Sequence, residues 1–526
     1  MILGIEGTAW NAGGALYDPE VDDVVEMDSE AYVPDSGGIH PREASEHLSD
    51  HLVDVVEGVL KGHESDVEAV AFSRGPGLGP CLRVTATAAR AYAQRLDVPL
   101  VGVNHTLAHV EMGRWSSGYE DPVALDAAGA NALVTTYRGG RYRVLGETMD
   151  TGVGNALDKL ARHAGLSHPG GPKLEELASE TDRYVELPYT VKGMSFSFSG
   201  VVTAAKQRID DGEPLEDVAY SVQETVFSML TEVCERALAL TRKDELVVGG
   251  GVSRNVRLRE MLREMAGERD VEFHAPDERY LGDNAGMIAV LGWMMYDAGV
   301  SVALEDSGVL PGWRPESVDV AWRDDVSRDA GFVQGAEAEV SFDRERGVVS
   351  KRRLPKTYRA PALDDRVRRT RTRREARLLS RVRRDGVSTP VVLDVDVLEH
   401  SLELEMLVDG DEVAELRAPS PDDARECGEV LARLHASGVA HGDPTTRNFL
   451  RSDGRVYLVD FGLGYATRDV EDYGVDVHVY RSSVEGTVGD EEADEAVDAF
   501  ESGYVWERSG DVLSRADEIE GRRRYA

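Results

Sequence analysis

The 526-residue chain is poor in cysteine and contains no long apolar run. Its three cysteines, Cys81, Cys234 and Cys427, lie far apart without a CxxC pair, which argues against a disulfide framework and against a thiolate zinc site. The longest apolar stretch, residues 285–296, is too short to span a bilayer, and MILGIEGTAW at the N-terminus lacks the features of a signal peptide. We therefore expect a cytoplasmic protein without membrane contact.

Positive charge is also scarce. Aspartate and glutamate total 97 against 59 lysines and arginines, only eight of which are lysine, and the formal net charge is -38. An acidic, lysine-poor surface is typical of a chain kept soluble in concentrated salt, as in a halophilic archaeon; an ordinary acidic enzyme of the cytosol is the alternative. The charge argues against general affinity for membranes or nucleic acids, although a local arginine-rich patch can still bind phosphate.

Length and pattern predict an α/β chain of more than one domain. Strand signals alternate with helical ones through about residue 320, and the strands in ILGIEG, VEAVAFSRGPGLG and DELVVGGGVSRN each end in glycines. Such loops let backbone N–H groups and a helix N-terminus approach a phosphate. Three of them predict a two-lobed nucleotide cleft over residues 1–322, followed by a linker at 323–334 and a second αβ unit at 335–526.

Two histidines stand four residues apart in the stretch NHTLAHVE. In a helix this spacing places His105 and His109 on one face, where they could share a metal ion or could line a surface or a capped helix face. A metallopeptidase would carry a glutamate directly after the first histidine, but Thr106 stands there and cannot act as a base at neutral pH. Peptide hydrolysis is therefore disfavoured.

Motifs spread over the first 290 residues point to a known family. In order, they are GIEGTAW, GGIHPREASEHL, FSRGPGLGPCLRV, NHTLAHVE, RYRVLGETMDTGVGNALDKLAR, SHPGGPKLEELA, FSFSGVVTAAK, GGGVSRNVRLRE and LGDNAGMIA. Residues 1–322 thereby resemble the tRNA N6-threonylcarbamoyladenosine transferase family, which is built on the actin/Hsp70-like fold of two RNase H-like lobes. Residues 335–526 resemble the small atypical kinase that partners this transferase in the KEOPS assembly and is fused to it in some archaea. The resemblance implies a small bilobal protein-kinase-like domain there.

The resemblance also implies a metal site in the transferase region. His105 and His109 would supply nitrogen ligands and Asp283, in LGDNAGM, would add a carboxylate, a set that suits one iron or zinc ion. Asp126, in LDAAGAN, stands where the family usually has a tyrosine ligand. This departure would place a second carboxylate at the metal.

The family's acyl donor is threonylcarbamoyl-AMP, a mixed anhydride that its AMP leaving group already activates. The enzyme mainly has to orient and polarise it and to admit the adenine amine. Carboxylates can accept hydrogen bonds from ribose hydroxyls and a glycine permits close approach, although each such residue alone is as readily a cap or a turn residue. By their places in the motifs, the residues that would contact the donor are Asp126, Ala127, Ala128, Gly129, Ala130, Asp158, Gly171, Glu175 and Asn255.

The second unit carries the parts of a phosphoryl-transfer site. In HGDPTTRN, Asp443 would be the catalytic base and Asn448 a magnesium ligand, and DFG supplies Asp460 as the other. Lys351 would pair with ATP phosphates and with Glu375. Because no APE motif follows, an ATPase-like regulator is favoured over a broad-specificity protein kinase. A glycine-poor phosphate-covering loop would consist of Gly335, Ala336, Glu337 and Ala338.

Arginine concentrates in the run Arg366–Arg384 and in the tail GRRRYA. A solvated helix face is the ordinary explanation. Contact with tRNA phosphates is the more specific explanation, and we favour it for the tail.

Together these patterns predict a bifunctional enzyme. The first region would transfer threonylcarbamoyl from threonylcarbamoyl-AMP to N6 of adenosine 37 in tRNAs that read codons beginning with adenine. The second would hydrolyse ATP with magnesium and regulate the cycle, and other KEOPS subunits would be partners. The alternative is a protein Ser/Thr kinase with a nucleotide-binding regulatory lobe.

Overall fold

The structure is a computed structural model that describes residues 1–34, 39–324, 338–344, 346–407 and 414–525, without the side chains of residues 414, 490–491 and 521–525. Strands and helices alternate along it, which confirms the prediction of an α/β fold. Within these ranges no helix combines the length and the apolar character that crossing a membrane requires.

The first lobe is built on a five-stranded sheet in the order β3-β2-β1-β4-β5. The central strand, ILGIE, is buried along its whole length, as expected for a strand with helices on both faces. It pairs antiparallel with β2 and parallel with β4. The elements are β1 (Ile2–Glu6), β2 (Asn11–Asp18), β3 (Asp23–Ala31), α1 (Pro41–Leu60), β4 (Ala69–Gly75), α2 (Gly79–Leu96), β5 (Leu100–Asn104) and α3 (His105–Ser117).

The second lobe is built on a sheet in the order β8-β7-β6-β11-β12, which repeats the topology of the first. In each sheet three consecutive strands are antiparallel and two later strands join in parallel. The elements are β6 (Val123–Ala127), β7 (Ala132–Arg138), β8 (Arg141–Glu147), α4 (Val153–His163), α5 (Gly170–Ala178), β9 (Val191–Lys192), β10 (Ser195–Phe196), α6 (Ser199–Asp210), α7 (Leu215–Thr241), β11 (Glu245–Gly249), α8 (Val256–Glu268), β12 (Glu272–His274) and α9 (Ala285–Asp297). The two sheets thus share one strand order.

The C-terminal part has a four-stranded antiparallel sheet, β13-β14-β16-β15, followed by a mainly helical region with short strand pairs. A separate apolar core fills it. The elements are β13 (Ala338–Asp343), β14 (Val348–Arg353), α10 (Pro361–Arg384), β15 (Val392–Asp396), β16 (Ser401–Glu405), β17 (Ala414–Glu415), α11 (Pro421–Ala436), β18 (Val439–Ala440), β19 (Phe449–Ser452), β20 (Arg455–Leu458), β21 (Tyr465–Ala466), α12 (Val470–Glu485), α13 (Asp490–Gly503) and α14 (Ser509–Tyr525).

The long helix α7 holds the C-terminal part against the second lobe. The carboxylate of Glu232, buried on α7, accepts hydrogen bonds from Arg359 at 2.6 Å and from Arg371 at 2.8 Å. One turn away, Glu235 pairs with Lys356 at 2.5 Å. These buried ion pairs join the C-terminal part to the second lobe.

Candidate functional site

The paired histidines lie on the first two turns of α3. Asn104 caps the helix by accepting a hydrogen bond from the Leu107 N–H at 3.0 Å. The cap makes His105 the first helical residue, so that His109 follows one turn later on the same face, with 4.9 Å between the ring centroids. The predicted helical spacing of the two imidazoles is confirmed.

The loop before α9 adds Asp283 to this pair. Its Oδ1 lies 3.3 Å from Nε2 of His105 and 3.5 Å from Nε2 of His109. One ligand atom from each of the three residues lies within 4.8 Å of the others. Among the described residues this is the only group of three or more histidine, cysteine, aspartate or glutamate residues with that geometry.

The polar atoms of this cluster fit a metal ion. His109 is 2 % exposed, yet neither of its ring nitrogens makes a hydrogen bond to a described residue. A buried polar atom without a partner is costly, and a cation would satisfy it. Two imidazoles and one carboxylate are a donor set that iron and zinc accept.

Glu6, at the end of β1, orients the first histidine and was not singled out by the sequence. Its Oε2 lies 3.2 Å from Nδ1 of His105, while its Oε1 accepts hydrogen bonds from the backbone and side chain of Thr8. A carboxylate on the far nitrogen fixes the ring and leaves Nε2 directed at Asp283. The only signal in the sequence was an acidic residue at the end of a buried strand.

Burial and charge set the protonation of the cluster. Burial lowers the pKa of His105, but Glu6 and Asp283 outweigh it and hold that pKa well above its usual range. Burial raises the pKa of Asp283, and the two histidines outweigh it and lower that pKa. His105 and Asp283 therefore attract each other as an imidazolium and a carboxylate, and a divalent cation could replace the proton of His105.

Asp126, at the end of β6, lies close to this cluster but is not one of its three members. Its buried Oδ1 makes no hydrogen bond to a described residue, and burial raises its pKa. Gly250 lies against it with φ of 81°, and a Cβ there would come within 2.5 Å of the Ala127 carbonyl oxygen. The assignment of Asp126 as a ligand stays a prediction.

The residues expected to contact the adenylate surround the same end of the second sheet. Asp158 accepts a hydrogen bond from the Gly170 N–H at 2.7 Å, and Gly171 faces open space, since a Cβ there would meet only Leu157 at 4.0 Å. Glu175 accepts from the Val256 N–H at the start of α8.

The turn of Ala127, Ala128, Gly129 and Ala130 reaches this group through the start of α4. The Asn155 N–H donates to the Gly129 carbonyl at 2.8 Å. Asn255 caps α8 through Leu258 and donates to Oε1 of Gln223 at 3.0 Å. Gln223 lies on α7 and was not anticipated from the sequence. Asn255 thus has the role of a helix cap, and its second hydrogen bond orients the side-chain amide.

The C-terminal part brings together most of the expected phosphoryl-transfer residues. Nζ of Lys351 lies 2.8 Å from Glu375 and 2.8 Å from Asp460. Arg353, two residues along β14, holds the other oxygen of Glu375 at 2.5 Å and was missed from the sequence. Burial raises the pKa of Asp460, but Lys351 and Arg353 outweigh it and lower that pKa, which keeps the carboxylate charged.

The expected base, Asp443, lies in a loop that other residues fix. Asn448 donates to the Asp443 carbonyl at 2.7 Å. Asp476, on α12, accepts from the backbone N–H groups of His441 and Gly442 at 2.6 and 2.8 Å, so it anchors the loop just before the base. Burial raises the pKa of Asp443 to about 6.

An arginine from the second lobe contacts this base. Nη1 of Arg236, on α7, lies 3.0 Å from Oδ2 of Asp443 and donates to the Gly193 carbonyl at 3.3 Å. Arg236 is 7 % exposed and pairs one turn back with Glu232. A charged side chain of one part thus contacts the carboxylate of the other that a proton donor would have to approach if Asp443 acts as a base.

Some predicted residues fall outside the described ranges. Gly335, Ala336 and Glu337 of the expected phosphate-covering loop do so, as do residues 325–334 of the expected linker and the side chains of the arginine tail. Ala338 is described and begins β13.

The chain matches one protein family over about half of its length and a group of relatives over all of it. The family model for tRNA N6-adenosine threonylcarbamoyltransferase matches residues 24–290. Relatives described as "probable bifunctional tRNA threonylcarbamoyladenosine biosynthesis protein" match over the whole chain. The relative from Halobacterium salinarum is 56 % identical over 100 % of this chain and 98 % of its own. The relative from Haloarcula marismortui is 52 % identical over 100 % of both chains. That of Methanospirillum hungatei is 48 % identical over 100 % of this chain and 99 % of its own.

Solved structures resemble the chain more distantly. Full-length HypF in the phosphate- and nucleotide-bound form is 13 % identical with a TM-score of 0.39, over 56 % of this chain and 55 % of its own. A ROK family glucokinase from Streptomyces griseus in complex with glucose and AMPPNP is 16 % identical with a TM-score of 0.33, over 55 % of this chain and 97 % of its own.

Proposed function

Because the chain belongs to the family of bifunctional tRNA threonylcarbamoyladenosine biosynthesis proteins, we propose that its two parts divide the work of one modification cycle. Residues 1–322 would transfer threonylcarbamoyl from threonylcarbamoyl-AMP to N6 of adenosine 37, and residues 335–526 would form a kinase-like domain that hydrolyses ATP. The observation that carries the first half is the buried cluster of His105, His109 and Asp283, with its unsatisfied imidazole.

The transfer forms a bond between the carbamoyl carbon and N6 of adenosine, breaks the bond from that carbon to the AMP oxygen, and releases one proton from N6. A metal ion bound by His105, His109 and Asp283 would polarise the carbonyl or phosphate oxygen of the donor as a Lewis acid. The chain's own residues would hold the donor in place. Asp158 and Glu175 would accept hydrogen bonds from its ribose, and the open space at Gly171 would admit its nucleoside.

The contacts of the C-terminal part support ATP hydrolysis. Lys351, already paired with Glu375, would bind ATP phosphates, and Asn448 and Asp460 would hold magnesium, which neutralises phosphate charge. Asp443 would accept a proton from the attacking water, since a pKa of about 6 leaves it mostly ionised at neutral pH.

The contacts of α7 support coupling between the two halves. In the first half of α7, Gln223 accepts a hydrogen bond from Asn255 of the candidate donor site, and 13 residues later Arg236 pairs with Asp443. At 1.5 Å per residue this is about 20 Å along one buried helix. A change of charge at Asp443 would act through Arg236 on α7, and Gln223 on the same helix orients Asn255.

The proposal is tested by incubating the purified chain with unmodified tRNA and threonylcarbamoyl-AMP and analysing nucleosides by mass spectrometry. Modified adenosine is expected without added ATP, because the anhydride supplies the energy. ATP should raise the number of turnovers, and its hydrolysis should be seen as released phosphate.

A protein Ser/Thr kinase with a nucleotide-binding regulatory lobe remains the second candidate, supported by the complete set of Lys351, Glu375, Asp443, Asn448 and Asp460. The contact of Arg236 with Asp443 argues against it, since a protein hydroxyl would need the same approach. Labelled phosphate that appears in protein while no tRNA is modified would favour this alternative.

A further inference from the structure

Helix α10 carries a row of arginines along its exposed face. Arg366, Arg369, Arg373, Arg377 and Arg384 follow one another at spacings of three, four, four and seven residues, which a helix places on one side. The opposite side is buried in the core. The row extends over about 27 Å, at 1.5 Å per residue.

Two arginines of this row have no counter-charge among the described residues, whereas Arg366 pairs with Glu186 and Arg369 with Asp365. Arg373 and Arg377 are exposed, and neither makes an ion pair or a hydrogen bond with any other residue in the described ranges. By contrast, arginines on the flanks of the same helix are paired, Arg368 with Asp364 and Arg371 with Glu232. The helix holds ten arginines against three acidic residues, in a chain of net charge -38.

Arg373 and Arg377 add no ion pair to the fold among the described residues. Like charges at positions i and i+4, such as Arg373 and Arg377, repel each other on a helix. A ligand that supplies negative charge from outside would compensate this repulsion.

We propose that the arginine row on α10 is a binding surface for the phosphate backbone of tRNA, an inference that rests on the proposed function. Successive arginines rise by about 4.5 to 6 Å over the first four positions, and guanidinium groups bind phosphate oxygens in bidentate fashion. A phosphate backbone offers charges in such a row, and the family acts on tRNA.

The row begins at the transferase region. Arg366 donates to the Leu187 carbonyl at 2.7 Å and pairs with Glu186 at 2.8 Å, both in the second lobe. A tRNA that lies along α10 would therefore contact both parts of the chain. This placement lets the C-terminal part hold tRNA while the first part modifies it.

The test compares tRNA binding by the full chain and by the double variant Arg373→Gln/Arg377→Gln at several potassium chloride concentrations. Loss of two phosphate contacts should raise Kd about tenfold and reduce the slope of log K against log salt by about 1.4 to 1.8. The matched control is Arg425→Gln/Arg433→Gln, which removes the same charge from exposed positions on α11 and should leave Kd unchanged.

Thermal unfolding checks that both double variants are folded. Unchanged Kd and slope in a folded Arg373→Gln/Arg377→Gln chain that still modifies tRNA would overturn this inference and leave the proposed function standing. A parent chain that neither binds nor modifies tRNA would overturn the function, and the inference with it. The last measurement is the binding of polyglutamate by the parent chain and by Arg373→Gln/Arg377→Gln. If the variant loses as much affinity for polyglutamate as for tRNA, the surface binds acidic polypeptides and the inference is overturned.

Discussion

Replacing Arg236 with glutamine should shift the pH dependence of ATP hydrolysis. The guanidinium lies 3.0 Å from Asp443, whose pKa of about 6 is set first by burial, which raises it, and then by Arg236, which lowers it. An adjacent arginine depresses a carboxyl pKa by about 1 to 3 units. Without it, the pKa of Asp443 should rise into the range of about 7 to 9.

The sign of the effect follows from the role of the base, which must be deprotonated to accept a proton. Activity therefore rises with pH through the pKa of Asp443. A rise of one unit, from 6 to 7, lowers the ionised fraction at pH 7 from about nine-tenths to one half. The acid limb of kcat/KM for ATP should move to higher pH in Arg236→Gln.

The assay is phosphate release measured across pH at a fixed, saturating magnesium concentration. Arg236→Lys is the matched control, since it keeps a positive charge on α7 and should keep the acid limb close to that of the parent. An acid limb in Arg236→Gln that coincides with the parent's, in a folded protein, would refute the assignment of Asp443 as the base under the influence of Arg236.

Three further outcomes follow from the same contacts. His109→Ala should remove bound metal and tRNA modification but not ATP hydrolysis. The control His163→Ala alters a histidine that pairs with Asp210 and should keep the metal. Metal analysis of both variants checks this prediction. Asp460→Ala should slow ATP hydrolysis by about 10³-fold or more while one round of transfer from preformed threonylcarbamoyl-AMP survives, and multiple turnover at the parent's rate would remove the coupling. The net charge of -38 should lower the thermal midpoint in dilute buffer relative to molar salt, and equal midpoints would contradict this.

The sequence predicted local geometry well because local geometry depends on spacing. The four-residue interval between His105 and His109, after a capping asparagine, was enough to place both rings on one helix face. The strand-glycine-helix patterns likewise predicted the turn at which Asn255 caps α8. Asp283, far along the chain, could be assigned only through the resemblance.

Contacts that depend on packing between distant elements were not predictable from the sequence. Glu6 reaches His105 because two strands of the first sheet end at the same edge, and Arg236 reaches Asp443 because the C-terminal part rests on α7. Neither residue belongs to a motif with a fixed spacing to its partner. The role of Arg353 was not predictable for a similar reason. Side chains alternate between the two faces of β14, so Lys351 and Arg353 lie on the same face and meet Glu375 only in the folded sheet.

We propose that the first part transfers threonylcarbamoyl to tRNA without using ATP. The most direct measurement is mass spectrometry of nucleosides from tRNA incubated with the pure chain and threonylcarbamoyl-AMP, with the His109→Ala variant as the blank. We expect N6-threonylcarbamoyladenosine at the position beside the anticodon with the parent chain, and none with the His109→Ala variant. Equal modification by both proteins, or phosphorylated protein with unmodified tRNA from the parent, would contradict it.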